Sequence, residues 1–298
     1  MKPSFTFYII LFVLKLKGLK KDFSSDPIDF EKIRKEDVHD PKGQFFKGEN
    51  VRKFSLSETT ITEVKQSGKS KKLLIFFHGG AFISGPAKHH WDIIKTIHKR
   101  SQYDIWMCDY PKAPEHNVLK VNANIDEVYR KALETFEGKD IVLIGDSAGG
   151  TLIATLTQRL IQNSIDLPRS IIMVSPVMDA SFTNPEIDAI DQIDPILSKK
   201  GIISAKRMYA GEKVLKDPVI SPLYGDFTGF PETILYMAGR DITYPDQKLA
   251  VEKFLNSDVQ LEVFDSENMI HVWPFLPVMK EAKMALDTII NKLNSYFD

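Results

Sequence analysis

The sequence predicts an α/β protein: a mostly parallel sheet with helices on both faces and helical pieces laid over the strand ends. Three observations predict it. Short apolar runs rich in β-branched and aromatic residues recur along the chain, separated by stretches with apolar residues at helical spacing. One junction, IVLIGDSAGGTLIATLTQ over residues 141–158, passes from a buried-strand pattern to a helical one through a Gly-x-Ser-x-Gly turn. The residues with chemical potential follow predicted strands, where a parallel sheet gathers positions far apart in sequence.

The 298 residues suffice for one large domain with an inserted cap. The composition, 43% apolar and 27% charged, is that of an ordinary globular protein. A formal net charge of −1 gives no global field to recruit nucleic acid, and no recognition motif for it is present. The single Cys108 excludes an intrachain disulfide framework and a cysteine-rich metal site, so the cytoplasm is the expected compartment.

Residues 5–14, FTFYIILFVL, form an apolar run followed by Lys15, Lys17, Lys20 and Lys21. A transmembrane helix needs about 20 apolar residues, and this run is half that length. A secretory leader carries its basic residues before the apolar run, whereas here they mostly follow it. The expectation is a helix that buries apolar surface on the rest of the protein, with a helix lying on a membrane surface as the alternative. A second helix is expected over residues 29–36.

Residues 51–65 alternate roughly and read as two antiparallel strands. Residues 72–77, KLLIFF, make a buried strand that runs into His78-Gly79-Gly80-Ala81-Phe82. A helix over 88–100, a strand over 104–109 and a helix over 118–136 follow, before the strand-turn-helix at 141–158. Further strands are expected over 170–174, 232–237 and 259–264. Helices are expected after Pro245 and over 276–297. The two pieces outside this alternation, 1–45 and 181–215, are expected to pack together as a helical cap, with 46–180 and 216–298 as the core.

Ser147 is the candidate nucleophile. Gly145 and Gly149 relieve crowding in the tight turn, and the helix behind it turns its positive end toward an oxyanion formed there. A serine hydroxyl needs a base. Of the seven histidines, His39, His78, His89, His90, His98, His116 and His271, the last follows the final strand by a short loop and is the expected base. Asp241, after the preceding strand, is the expected carboxylate that fixes the imidazole tautomer. Asp246 is the alternative acid, expected to cap the helix after Pro245. The expected oxyanion donors are the backbone N–H groups of Gly79, Gly80 and Ala148. A rival order, His78, Asp109 and Ser147, is that of chymotrypsin-like proteases, but their fold is all-β and a helix follows Ser147 here.

At these residues the chain resembles the hormone-sensitive-lipase-like family of α/β-hydrolase esterases. His78-Gly79-Gly80-Ala81-Phe82 is similar to the family's HGGG-type motif. Gly145-Asp146-Ser147-Ala148-Gly149-Gly150 matches its GDSAGG, and Asp109-Tyr110-Pro111-Lys112-Ala113-Pro114-Glu115-His116 resembles its DYRLAPEH. Ser175-Pro176, Asp194-Pro195-Ile196-Leu197, Ser221-Pro222-Leu223 and Ala238-Gly239-Arg240-Asp241 also have family counterparts. The resemblance implies an α/β-hydrolase fold and a carboxylic-ester hydrolase for short- to medium-chain acyl esters, without cofactor or metal. It implies a cap over the site and a structural role for His78. Three departures stand out: Ala81 for the third glycine, Pro111 for an arginine that makes a structural ion pair, and Val272 for the frequent glycine after the catalytic histidine.

The same triad also serves amidases, peptidases and acyltransferases, and this fold hosts ligand-binding proteins that have lost a catalytic residue. All three triad positions are filled here. The expected partner is a small-molecule ester, with no nucleic acid and no transmembrane span. A homodimer through apolar surface of the closing helix is an alternative to its burial on the sheet. Phe5, Phe7, Phe12, Trp91, Phe182, Ile190, Met208 and Trp273 are candidate pocket lining or plain core.

Overall fold

The computed structural model describes residues 3–68, 70–276 and 278–297. Its centre is one eight-stranded sheet. The strands are β1 (Val51–Leu56), β2 (Thr59–Val64), β3 (Leu73–Phe77), β4 (Asp104–Asp109), β5 (Ile141–Asp146), β6 (Ser170–Val174), β7 (Glu232–Arg240) and β8 (Leu261–Ile270). They lie in the order β1-β2-β4-β3-β5-β6-β7-β8. β1, β2 and β4 pair antiparallel, and every pairing from β4 to β8 is parallel.

The helices are α1 (Phe5–Lys17), α2 (Leu19–Asp22), α3 (Phe30–Ile33), α4 (Lys88–Arg100), α5 (Val118–Leu133), α6 (Ala148–Gln162), α7 (Ile187–Asp191), α8 (Lys199–Ala210), α9 (Tyr244–Asn256) and α10 (Lys280–Ser295). The helix expected over 29–36 is the short α3 continued by a 3₁₀ turn, Arg34–Glu36. Pro277, within the range expected for the last helix, lies outside the described residues.

Every residue of β3 and β5 is buried, because helices cover both faces of the central strands. The register aligns Phe77 with Gly145, Gly145 with Met173, Met173 with Leu235 and Leu235 with Val263. The segments beyond this row share one edge of the sheet. β8 runs farther than expected: the anticipated loop before His271 is strand to Ile270. An irregularity lies opposite Ala238 and Arg240, after which Arg240 pairs with Ile270. Asp241 and His271 are therefore the next positions on neighbouring strands. Gly239 is needed at this irregularity, since a Cβ there would meet the Glu267 carbonyl oxygen at 2.4 Å.

The two segments outside the alternation touch each other. The Lys20 ammonium donates to the Asp194 carbonyl at 3.0 Å, and the Ile28 N–H donates to Ser204 Oγ at 3.0 Å. Gly201 of α8 packs so tightly on the Phe23 carbonyl that a Cβ there would come within 1.9 Å.

α1 departs from expectation. Only Phe7 and Leu14 are buried, while Phe5, Phe12 and Leu16 are 79%, 63% and 71% exposed. The helix is apolar on all sides, so docking one side on the protein leaves another outside. Phe5 and Phe12 accordingly do not line an internal pocket. No helix among the described residues is long and apolar enough to cross a membrane.

Candidate active site

Ser147 sits between β5 and α6 with φ 49° and ψ −119°, a backbone conformation that few non-glycine residues adopt. Its N–H donates to the Val174 carbonyl at 2.8 Å, which ties the turn to the neighbouring strand. The flanking glycines are sterically required. A Cβ at Gly149 would lie 1.9 Å from the Phe77 carbonyl oxygen, and one at Gly145 would lie 2.7 Å from the same atom. The elbow can press against the end of β3 only without those side chains.

The β7–β8 register brings the other two predicted residues together. His271 Nδ1 lies 2.7 Å from Asp241 Oδ2, and both side chains are buried. A carboxylate only accepts, so Nδ1 carries the proton and Nε2 is the free nitrogen. The other Asp241 oxygen accepts from the Thr243 N–H at 2.9 Å. Burial acts to lower the His271 pKa, but the charge and hydrogen bond of Asp241 outweigh it, and the imidazole is raised above its ordinary value. Val272 occupies the left-handed region at φ 51°, a conformation that favours glycine there; its N–H donates to Ser175 Oγ at 3.1 Å.

One of the expected oxyanion donors has another partner in the structure. The Gly79 N–H is already used: it donates to Asp146 Oδ1 at 3.1 Å. The N–H groups of Gly80 and Ala81 have no acceptor among the described residues. The chain turns there through φ values of 122°, 54° and 66° at Gly80, Ala81 and Phe82, which redirects successive peptide planes. Gly79 serves by close approach, since a Cβ would meet Asp146 Oδ2 at 2.4 Å and Ser147 Cβ at 3.1 Å. Ala148 is the first residue of α6, where an N–H has no partner within the helix.

His78 is placed as a brace. Its ring stacks on Tyr110 with centroids 4.4 Å apart, and its backbone carbonyl accepts from the Tyr110 hydroxyl at 2.8 Å. Burial holds its pKa well below the ordinary histidine value, so it is neutral. The missing arginine at Pro111 is answered from elsewhere in the chain. Arg34 forks onto both Glu115 oxygens at 2.8 and 2.7 Å, and Asp109 pairs with Lys112 at 2.5 Å and His39 at 2.6 Å.

His89, His90 and Asp146 carry ligand atoms within 4.8 Å of one another. The His90 and Asp146 atoms are already engaged. His90 Nδ1 accepts from the Ala87 N–H at 2.9 Å, which leaves Nε2–H to face Asp146 at 3.3 Å. The His90–Asp146 contact ties α4 to the elbow.

Two residues of the site were not singled out from sequence. Asp194 is buried beside Asp241; its Oδ1 accepts from the N–H groups of Ile196 and Leu197 at 2.8 and 2.9 Å, and its Oδ2 from Ile242 at 3.0 Å. Burial, then the charge of Asp241, raises its pKa to about 7. The Asp-Pro-Ile-Leu motif was its only sequence signal. Lys206 of α8 is buried with its ammonium 4.1 Å from the centroid of the Phe82 ring, which also stacks on Tyr209 at 3.8 Å. Nothing in its local sequence distinguishes it from a surface lysine. Asp246, the alternative acid, is buried in the first turn of α9, where Thr243 is the cap residue. It accepts from Asn184 Nδ2 at 3.1 Å, and burial raises it to about 7.

With this geometry in hand, comparison with known proteins is specific. The family profile described as the alpha/beta hydrolase fold matches residues 74–275. An esterase from Acinetobacter venetianus is 29% identical over 247 residues, covering 80% of each chain. The crystal structure of a putative esterase from Staphylococcus aureus superposes with a TM-score of 0.83 at 25% identity, over 94% of this chain and 98% of that one. An esterase from the bacterial hormone-sensitive lipase family superposes over the whole of both chains with a TM-score of 0.84 at 22% identity, a likeness of fold.

Proposed function

The chain belongs to the α/β-hydrolase fold family, and we propose that it works there as a carboxylic-ester hydrolase of the hormone-sensitive-lipase-like kind. Its substrates are short- to medium-chain acyl esters, cleaved through an acyl-enzyme. The observation that carries this reading is the 2.7 Å bond from His271 to Asp241 on the sheet edge where Ser147 is held in its strained turn.

The geometry supports the following steps. Ser147 Oγ attacks the ester carbonyl carbon as His271 Nε2 takes its proton, and Asp241 stabilises the imidazolium. The carbonyl oxygen becomes an oxyanion, held by the N–H groups of Gly80, Ala81 and Ala148. The intermediate collapses, the C–O bond to the alcohol breaks, and His271 returns the proton to the leaving oxygen. A water then attacks the acyl carbon, loses its proton to His271, and the acid departs from Ser147. The chemistry needs no cofactor. Residues 1–45 and 181–215 act as the cap over this edge, supported by the low exposure of Ser147 and His271, 8% and 4%. The buried free thiol of Cys108 suits a reducing compartment, and we take the cytoplasm as the place of action.

The test is hydrolysis of p-nitrophenyl acetate, butyrate, octanoate and palmitate by the wild type and by Ser147→Ala. The expected result is turnover highest between acetate and octanoate and a loss of at least about 10³-fold in the variant. Undiminished turnover by Ser147→Ala would overturn the mechanism. Faster cleavage of an amide than of its matched ester would replace the esterase reading with an amidase one.

A further inference from the structure

The outward side of α1 is a continuous apolar stripe. Phe5, Ile9, Phe12 and Leu16 recur at steps of four, three and four, which places them in one row along the helix, with Tyr8 and Val13 beside it. All six are exposed, and they make up six of the fourteen exposed large apolar side chains among the described residues. Scattered apolar residues on a surface need no explanation, whereas a row concentrated on thirteen residues of helix does.

The charges around the stripe are equally ordered. At 100° per residue, Lys15 and Lys17 fall on its two borders, and Lys21 follows just beyond the Gly18 cap. Lys15, Lys17 and Lys21 are exposed and have no ion-pair partner among the described residues, whereas Lys20 pairs with Asp191. No carboxylate occurs from Pro3 to Lys21. A second copy of the helix laid on this stripe would bring lysines and no acids to meet them. An anionic surface supplies the missing charge.

We propose that α1 is a membrane-surface docking helix, its stripe seated at the headgroup–acyl boundary of an anionic bilayer and its lysines on the phosphates. Thirteen residues of helix span about 20 Å against a hydrocarbon core of about 30 Å, so the helix lies in the surface and does not cross it. The proposal is independent of the reaction carried out at Ser147. It adds where the protein sits.

The test is co-sedimentation of the full chain with phosphatidylcholine vesicles and with phosphatidylcholine/phosphatidylglycerol vesicles. Binding is expected to the anionic vesicles and to weaken in high salt. Lys15→Gln with Lys17→Gln is expected to weaken it about thirtyfold. Phe12→Ser with Leu16→Ser is expected to abolish it while leaving the Tm within a few degrees of wild type, because both side chains face outward. Sedimentation velocity of the same proteins completes the test. Absence of binding to either vesicle would overturn the proposal. So would a lipid-free dimer that Phe12→Ser with Leu16→Ser dissociates, since a second copy would then be the occupant.

Discussion

The Lys206 ammonium lies 4.1 Å from the centroid of the Phe82 ring, in a side chain with 1% exposure. Tyr209, one turn along α8, stacks on the same ring. Phe82 directly follows Gly80 and Ala81, so this contact grips the loop whose free N–H groups are assigned to the oxyanion. Desolvation by burial lowers the pKa of the amine to about 7. Above pH 10.5 the amine is neutral in both the folded and the unfolded chain. Between 10.5 and about 7 the unfolded chain takes up the proton and the folded chain resists it, so Lys206 costs increasing stability as the pH falls; below 7 the cost is constant. Lys206→Met keeps the stem packing and removes the titration. Its gain in stability over wild type is expected to grow from near zero at pH 10.5 to about 1–3 kcal/mol at pH 7, after the ring's attraction for the cation offsets part of the shift. Denaturant melts of both proteins across that range measure it.

The His271–Asp241 bond makes a prediction about rate. The base works only when neutral, so kcat/KM is expected to fall as the pH drops through the His271 pKa. That acid limb should lie above the ordinary histidine value of about 6.5, because Asp241 outweighs the effect of burial. Asp241→Asn removes the stabilising charge. It should move the limb to lower pH and cut kcat by about 10³–10⁴-fold. A limb that stays in place in the variant would mean that another group sets it.

Arg34 makes a prediction about stability in salt. Besides Glu115 it donates to the carbonyls of Ile83 and Ala113, at 2.7 and 2.8 Å. Glu115 is half exposed, so salt screens the ion pair, but the two backbone acceptors keep their need for a donor. Arg34→Met is therefore expected to cost about 1–2 kcal/mol, and 0.5 M NaCl should leave that difference nearly unchanged. Tm measurements with and without salt decide between the two contributions.

The central strands were legible because helices cover them on both faces, which writes them as unbroken apolar runs such as Leu73 to Phe77. The second half of β8 was not. Asp265, Ser266, Glu267 and Asn268 lie on an edge strand, where one side meets solvent and only pairing with β7 defines the strand. The pairing of Asp241 with His271 on the sheet edge that also carries Ser147 was legible from order and position alone. The orientation of individual N–H groups was not, since the turn through Gly80, Ala81 and Phe82 decides which donor faces Asp146 and which stays free. Asp246 was expected to cap the helix after Pro245, but Thr243 takes that place and tertiary packing beside Asn184 buries Asp246. Lys206 and α1 show the same limit in opposite senses. A lysine went inside and an apolar face stayed outside, and in both cases the position of the neighbouring element decided it.

Asp194 yields the last prediction. It holds the Ile242 N–H, next in sequence to Asp241, and both carboxyl groups are buried. Its raised pKa has a definite sign: between the ordinary 3.8 and about 7 the folded chain binds a proton that the unfolded chain does not, so stability falls as the pH rises through that window. Asp194→Asn cannot ionise and should lose that dependence. The amide oxygen still accepts from Ile196 and Leu197, while its NH₂ faces the Ile242 N–H and leaves it without an acceptor. Asp194 also helps raise the His271 pKa, so the acid limb of kcat/KM should move to lower pH, by less than in Asp241→Asn. About a tenfold loss in kcat with KM little changed is expected from the loosened Asp241. A variant with lower stability but an unmoved pH limb would make Asp194 merely structural, because it is the loss of the Asp194 charge near His271 that should move that limb.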